Sequence, residues 1–200
     1  MFFLLSIFHL TYSSISHLIS EYGYLSIFLL MVLESASLPI PSEILLPSVG
    51  FFSKEGILNP FLALLSVQAG SMVGVAIDYY IGMLIGKEIV VKHAARFGIK
   101  RERIEEVDEW FGRNGTLAVF IARMLPIVRG LISFPAGFAK MDQKKFYTFS
   151  FLGTLIWDSL LISFGYYFIS YSPTKLVEAI SLLAIVISII YIASRKILRR

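Results

Sequence analysis

Apolar and polar positions fall along this chain in long blocks. Phe61 to Ile85, Phe146 to Ile169 and Leu176 to Ser194 are predominantly apolar. Each is close to the ~20 residues that a helix needs to cross the ~30 Å hydrocarbon core of a bilayer, so each predicts a transmembrane helix. Leu25 to Leu33 is equally apolar but short, and it runs into Glu34 and then Leu38-Pro39-Ile40-Pro41-Ser42-Glu43-Ile44-Leu45-Leu46-Pro47. Three prolines remove amide donors and disfavour helix at the residues before them. The pattern predicts broken backbone there, ending at a polar turn over Phe51–Gly56. A further apolar run, Gly115 to Ala139, contains Arg123, Pro126 and Arg129.

Between these runs lie polar blocks. Lys87 to Arg113 mixes seven Lys/Arg with six Asp/Glu, and from Lys100 it predicts a solvated amphipathic helix ended by Gly112. Lys140, Lys144 and Lys145 mark the next polar loop, Ser170–Lys175 is a short one, and the chain closes on Arg195-Lys-Ile-Leu-Arg-Arg200. Lys and Arg favour the cytoplasmic side, which puts the C-terminus inside. Counting spans back from there places Ser170–Lys175 outside and both Lys140–Lys145 and Lys87–Arg113 inside. Two inside loops then flank Gly115–Ala139, so that run cannot cross once. It predicts a re-entrant hairpin turning at Pro126–Phe134, and Leu25–Phe52 a second hairpin entering from the opposite face. Irregular backbone at membrane depth persists where protein covers it or where it lines a cavity.

The two halves share spacing. Leu38-Pro39-Ile40 precedes Pro47 as Leu125-Pro126-Ile127 precedes Pro135, and Gly70 and Gly82 are twelve apart, as are Gly153 and Gly165. The pattern predicts an all-α integral membrane protein, a single membrane domain over 1–200, with transmembrane helices and two oppositely oriented hairpins related as an inverted repeat. Such repeats commonly bring broken elements together at a transport site near the midplane. Pro39, Pro41, Pro126 and Gly137 are the expected hairpin formers. Met1–Ser20, with His9, His17 and many hydroxyls but no basic leader, is expected to be a weak first span or an interfacial helix rather than a signal peptide.

Composition agrees with a multi-pass cell-membrane protein: 56% of the 200 residues are hydrophobic. The absence of cysteine excludes disulfides, thiol nucleophiles and Cys-ligated metal centres. The formal charge of +4 is attributed to cytoplasmic loops, not to nucleic-acid binding. No metal or cofactor is expected, because the three histidines are scattered and no Asp/His group has metal-ligand spacing.

Charge within the apolar runs is the costly feature. An Arg or Asp at the bilayer centre costs roughly 2.5–3.5 kcal/mol on insertion scales and usually faces a bundle interior. One hairpin carries Glu34 and Glu43, the other Arg123 and Arg129. The guanidinium fork suits phosphate and stays charged at any physiological pH, while a desolvated carboxylate can carry protons. Together they suit movement of an anionic lipid headgroup coupled to protons. The plainer reading is that these four groups are only mutual ion-pair partners holding the hairpins together. Asp78 and Asp158 either extend a proton relay or bridge helices.

Phe120-Ile-Ala-Arg123-Met-Leu-Pro126-Ile-Val-Arg129, followed by Ala136-Gly137 and Met141, resembles the Phe-x-x-Arg-x-x-Pro-x-x-Arg…Ala-Gly-x-x-x-Met pattern of the DedA family, whose shared region is also called the SNARE-associated or VTT domain. Glu34 with Pro39 and Pro41, Gly70-x-x-x-Gly74…Tyr79-x-x-Gly82-x-x-x-Gly86, Trp110-Phe111 before Asn114-Gly115, and Phe146…Gly153…Trp157 are similar too. The likeness covers Tyr22 to Gly165. Val75 stands where the family often has Asp, Asn114 where it often has His, and Glu43 where some members carry Asp after Pro-Gly. The resemblance implies movement of phospholipid or polyprenyl phosphate between leaflets, dependent on proton motive force, with acid and arginine residues of the hairpins as the working groups. Its partners would be those lipids and protons. An enzyme is not expected, because the three histidines lie outside both hairpins and no Asp/His group has metal-ligand spacing. A lipid-phosphate phosphatase, and a scaffold or small-ion transporter, are the competing classes.

Overall fold

A computed structural model describes residues 13–38, 40–94, 101–125 and 128–168. The first part of the expected N-terminal element with His9, the expected last span, the C-terminal basic cluster, Pro39 and Pro126 lie outside the described residues. Every regular element described is a helix. The backbone is helical over 13–22 (α1), then Tyr24–Ser35 (α2), Ser42–Lys54 (α3), Pro60–Ala94 (α4), Arg101–Arg123 (α5), Val128–Leu131 (α6), Ser133–Phe138 (α7) and Gln143–Phe168 (α8).

Two of these, over Pro60–Ile85 and Gln143–Phe168, are long and apolar enough to span a bilayer. Their outward faces are apolar: Phe61, Leu65, Val73, Ile77 and Leu84 on α4, and Leu152, Ile156, Leu160 and Phe168 on α8, are exposed. Leu25, Leu29 and Leu33 continue that surface along α2. An apolar skin of this extent marks a surface that does not face water.

The short helices pack on the long ones through glycines. A Cβ on Gly70 would come within 2.4 Å of the Phe28 carbonyl oxygen, and one on Gly74 within 2.4 Å of that of Val32. Ascending numbers meet ascending numbers, so α2 runs alongside α4 in the same direction. The Asn59 amide donates to the Tyr24 hydroxyl at 2.7 Å. After α2 and α3 the chain has therefore returned to the end at which it started. In the second half, Gly153 of α8 faces the Phe120 carbonyl and the Arg123 stem of α5.

The remaining short helices cross over. In α3, Pro47 and Gly50 lie against Gly165 and Ile162 of α8, while in α7, Phe134 and Gly137 lie against Gly82 and Tyr79 of α4. Each half thus lends a short helix to the long helix of the other, at the glycines whose equal spacing the sequence displays.

Three sequence-based expectations shift. Gly112 does not end the amphipathic helix, because α5 continues through it to Arg123. Nothing lies within 4 Å of where its Cβ would be, and the apolar face beyond it packs on α8. Pro47 sits inside α3 instead of closing a hairpin. One lost helical hydrogen bond is tolerated there while the Pro47 carbonyl takes the close approach of Gly165. Gly137 lies within α7, where it permits contact with Tyr79 rather than forming a turn. Pro41 does stand between elements, as the N-cap residue of α3.

Two apolar clusters bracket the interior. One joins Ile15, Ile27, Met31, Leu45, Val49, Val67 and Leu161; the other joins Val75, Tyr79, Val119, Ala136 and Phe146. Between them the buried side chains turn polar.

Candidate functional site

That polar layer gathers from six helices, α2 and α4 to α8. Ser71 stands eleven residues after Pro60, which at 1.5 Å per residue is ~17 Å along α4, about half the thickness of the hydrocarbon core. Its hydroxyl donates to Asp158 on α8 at 3.3 Å. Asp158 also accepts from Arg129 Nη1 at 3.5 Å, and Arg129 Nη2 reaches Glu34 at the end of α2 at 2.9 Å. Glu34 accepts a second bond, 3.0 Å, from the Ser35 hydroxyl. Arg129, carried by the one-turn helix α6, thus ties α2 to α8. Its side chain is 6% exposed, those of its partners 7% and 0%. At such burial, removal of one partner strands an uncompensated charge.

Arg123 is built differently. Its residue is 2% exposed, yet it forms no ion pair among the described residues. Nη1 donates to the Arg129 carbonyl, Nη2 to Ser133 at 2.7 Å and to Ser150 at 3.3 Å, and Nε to Ser150 at 3.3 Å. The guanidinium carbon also lies 5.8 Å from the Phe146 ring centroid, within cation–π range. Gly153 leaves room for its stem, since a Cβ there would come within 2.7 Å of the Arg123 Cβ. A full positive charge is therefore solvated by hydroxyls, a carbonyl and a π face.

Asp78, buried on α4, meets the Ser37 hydroxyl from the loop after α2, and the same hydroxyl lies 3.0 Å from the Gly130 carbonyl of α6. Ser37 has φ +59°, a left-handed conformation that costs of order 1–3 kcal/mol for a non-glycine residue.

Of the residues expected at the site, Glu34, Arg123, Arg129 and Asp158 are brought together, with Asp78 at the edge through Ser37. Glu43, partly buried in the first turn of α3, makes no ion pair among the described residues. The serines at 35, 37, 71, 133 and 150 were not singled out from the sequence. Serine is ordinary in membrane helices, and only the fold shows which ones face a guanidinium or a carboxylate. No group of three or more possible metal ligands occurs among the described residues.

A polar, charged interior inside an apolar skin, with two helices long enough to span, defines a helical membrane protein. The VTT domain matches residues 40–167, and the chain belongs to that family, the one its motifs resemble. It is 33% identical over 151 residues to the uncharacterized membrane protein YbfM of Bacillus subtilis, covering 76% of this chain and 93% of that one. It is 36% identical over 155 residues to undecaprenyl phosphate transporter A of Staphylococcus aureus, covering 76% of each. An alkaline phosphatase-like protein of Lactococcus lactis is 34% identical over 156 residues, with 76% and 73% covered. No solved structure matches.

Proposed function

We propose that this protein moves a phosphate-bearing lipid, polyprenyl phosphate or phospholipid, between leaflets, and that it does so as a proton-coupled transporter and not as an enzyme. The observation that carries this reading is Arg123: a wholly buried guanidinium at membrane depth, hydrogen-bonded only to neutral groups among the described residues. A lipid phosphate is the anion that its fork geometry fits, and a relative 36% identical is named for transport of such a lipid. Arg129 is held meanwhile by Glu34 and Asp158. Phosphate entry would take over part of that charge, with Glu34 or Glu43 exchanging protons and Asp78 and Asp158 serving as relay.

The same reading takes Leu25–Phe52, over α2 and α3, and Gly115–Ala139, from within α5 to the end of α7, as hairpins that enter the bilayer from opposite faces, related as an inverted repeat. The return of the chain to Asn59 beside Tyr24, the glycine contacts repeated in each half and the crossed packing of α3 and α7 support it. Alternate opening of the two hairpins would then expose the arginines to one leaflet at a time.

The sealed Arg129–Glu34–Asp158 cluster favours one second reading, a membrane scaffold whose charges only hold the halves together. Purified protein in liposomes separates the two. The transporter reading expects protein-dependent translocation of a polyprenyl-phosphate or phospholipid headgroup, enhanced by a pH gradient, with no inorganic phosphate released. A folded protein that leaves headgroups in their leaflet contradicts it, and phosphate release would favour the phosphatase.

A further inference from the structure

The Ser37 hydroxyl has one proton and faces two acceptors, the Asp78 carboxyl and the Gly130 carbonyl at 3.0 Å. If Asp78 were ionised, one contact would be a hydrogen bond and the other would set two oxygen lone pairs against each other. If Asp78 is protonated, its hydroxyl donates to Ser37 Oγ and Ser37 donates to Gly130, so both contacts are satisfied. We infer that Asp78 holds a proton in this closed arrangement and that Ser37 couples that proton to the helix bearing Arg129.

Charge balance in the buried layer points the same way. The described buried layer holds two arginines, Arg123 bonded to neutral groups and Arg129 paired with Glu34 on α2 and Asp158 on α8, so an ionised Asp78 would make a third buried carboxylate for two cations. Arg123 of α5 is the cation whose charge bears on Asp78; Glu43 on α3 is partly buried and in no ion pair among the described residues, Tyr147 lies on α8 beside Tyr79 and Tyr80, and Lys144 and Lys145 are exposed in the first turn of α8. Tyr79 and Tyr80 flank it on α4, and α7 carries no ionisable side chain. Glu34 is committed as an acceptor to both Arg129 and Ser35, which leaves Asp78 as the carboxyl whose contacts call for a hydrogen.

The backbone supports a role for the Ser37 side chain. At φ +59° a glycine would be unstrained, but it would lack the hydroxyl that joins α4 to α6. Loss of the Asp78 proton to water turns the Ser37 hydroxyl wholly to the carboxylate and withdraws its hydrogen from Gly130, loosening the first hairpin from the Arg129 helix. Ser37 is thus a positioning residue, acting through Asp78 and Gly130.

The inference deepens the proton-coupled reading, and its test needs no lipid. Infrared difference spectra of the full chain at neutral pH, unsubstituted minus Asp78→Asn, should show one protonated-carboxyl stretch. Ser37→Ala should shift or abolish it, while Ser48→Ala, whose hydroxyl bonds only within its own helix, should not. If Asp78→Asn does not fold, 13C labelling of the aspartate carboxyls in the unsubstituted chain replaces it. A labelled protonated band that moves in Ser37→Ala supports the inference; no such band, or one that Ser37→Ala leaves in place, overturns it. Translocation with an ionised Asp78 would sink the inference and spare the transporter, and a protonated Asp78 without translocation would do the reverse.

Discussion

Arg129 holds two carboxylates and Arg123 none, so their removal has different consequences. Arg129→Ala leaves Glu34 and Asp158 buried without their cation and is expected to destabilise the fold by about 3–5 kcal/mol. Glu43→Gln removes a partly buried charge with no ion pair among the described residues and is expected to cost less than about 1 kcal/mol. Unfolding midpoints in detergent compare the two, and equal losses would contradict the difference in their pairing. The arginines were legible in the sequence because charge in an apolar run demands a reason. Their hydroxyl partners were not, because nothing in the local sequence distinguishes Ser133, which solvates Arg123, from Ser48, which bonds its own helix.

Among the elements, the two long helices follow from run length alone, and Glu34 falls as the pattern suggests at the end of a short helix. The prolines and glycines were harder to read, since each has a local meaning and a tertiary one. Gly165 exists for its neighbour: an added Cβ would stand 2.0 Å from the Pro47 carbonyl oxygen. Gly165→Ala should therefore push α3 from α8 and lower the unfolding midpoint, by the 1–3 kcal/mol typical of overpacking. Gly112 stands in an open helical position, and Gly112→Ala should be neutral or stabilising by up to about 1 kcal/mol. The opposite order would mean that α3 and α8 do not pack as described.

For the whole molecule, the spacing of Gly70/Gly82 and Gly153/Gly165 hinted at two related halves. The crossed contacts show what the glycines touch, which no spacing could reveal. The topology proposed from lysine distribution gives its own prediction, and the lack of native cysteine makes it clean to measure. A membrane-impermeant maleimide on intact cells should label Ile57→Cys, at an exposed position before α4, and should label Lys144→Cys only after permeabilisation. Labelling of both from one side would rule out α4 as a single crossing between them.

The central claim is that buried arginines take the phosphate of a lipid in transit. Arg123 tests it best, because its removal strands no partner carboxylate among the described residues. Headgroup translocation in liposomes should fall at least tenfold in Arg123→Ala protein that elutes and melts as a folded species. Translocation at the unsubstituted rate in that folded variant would contradict the account.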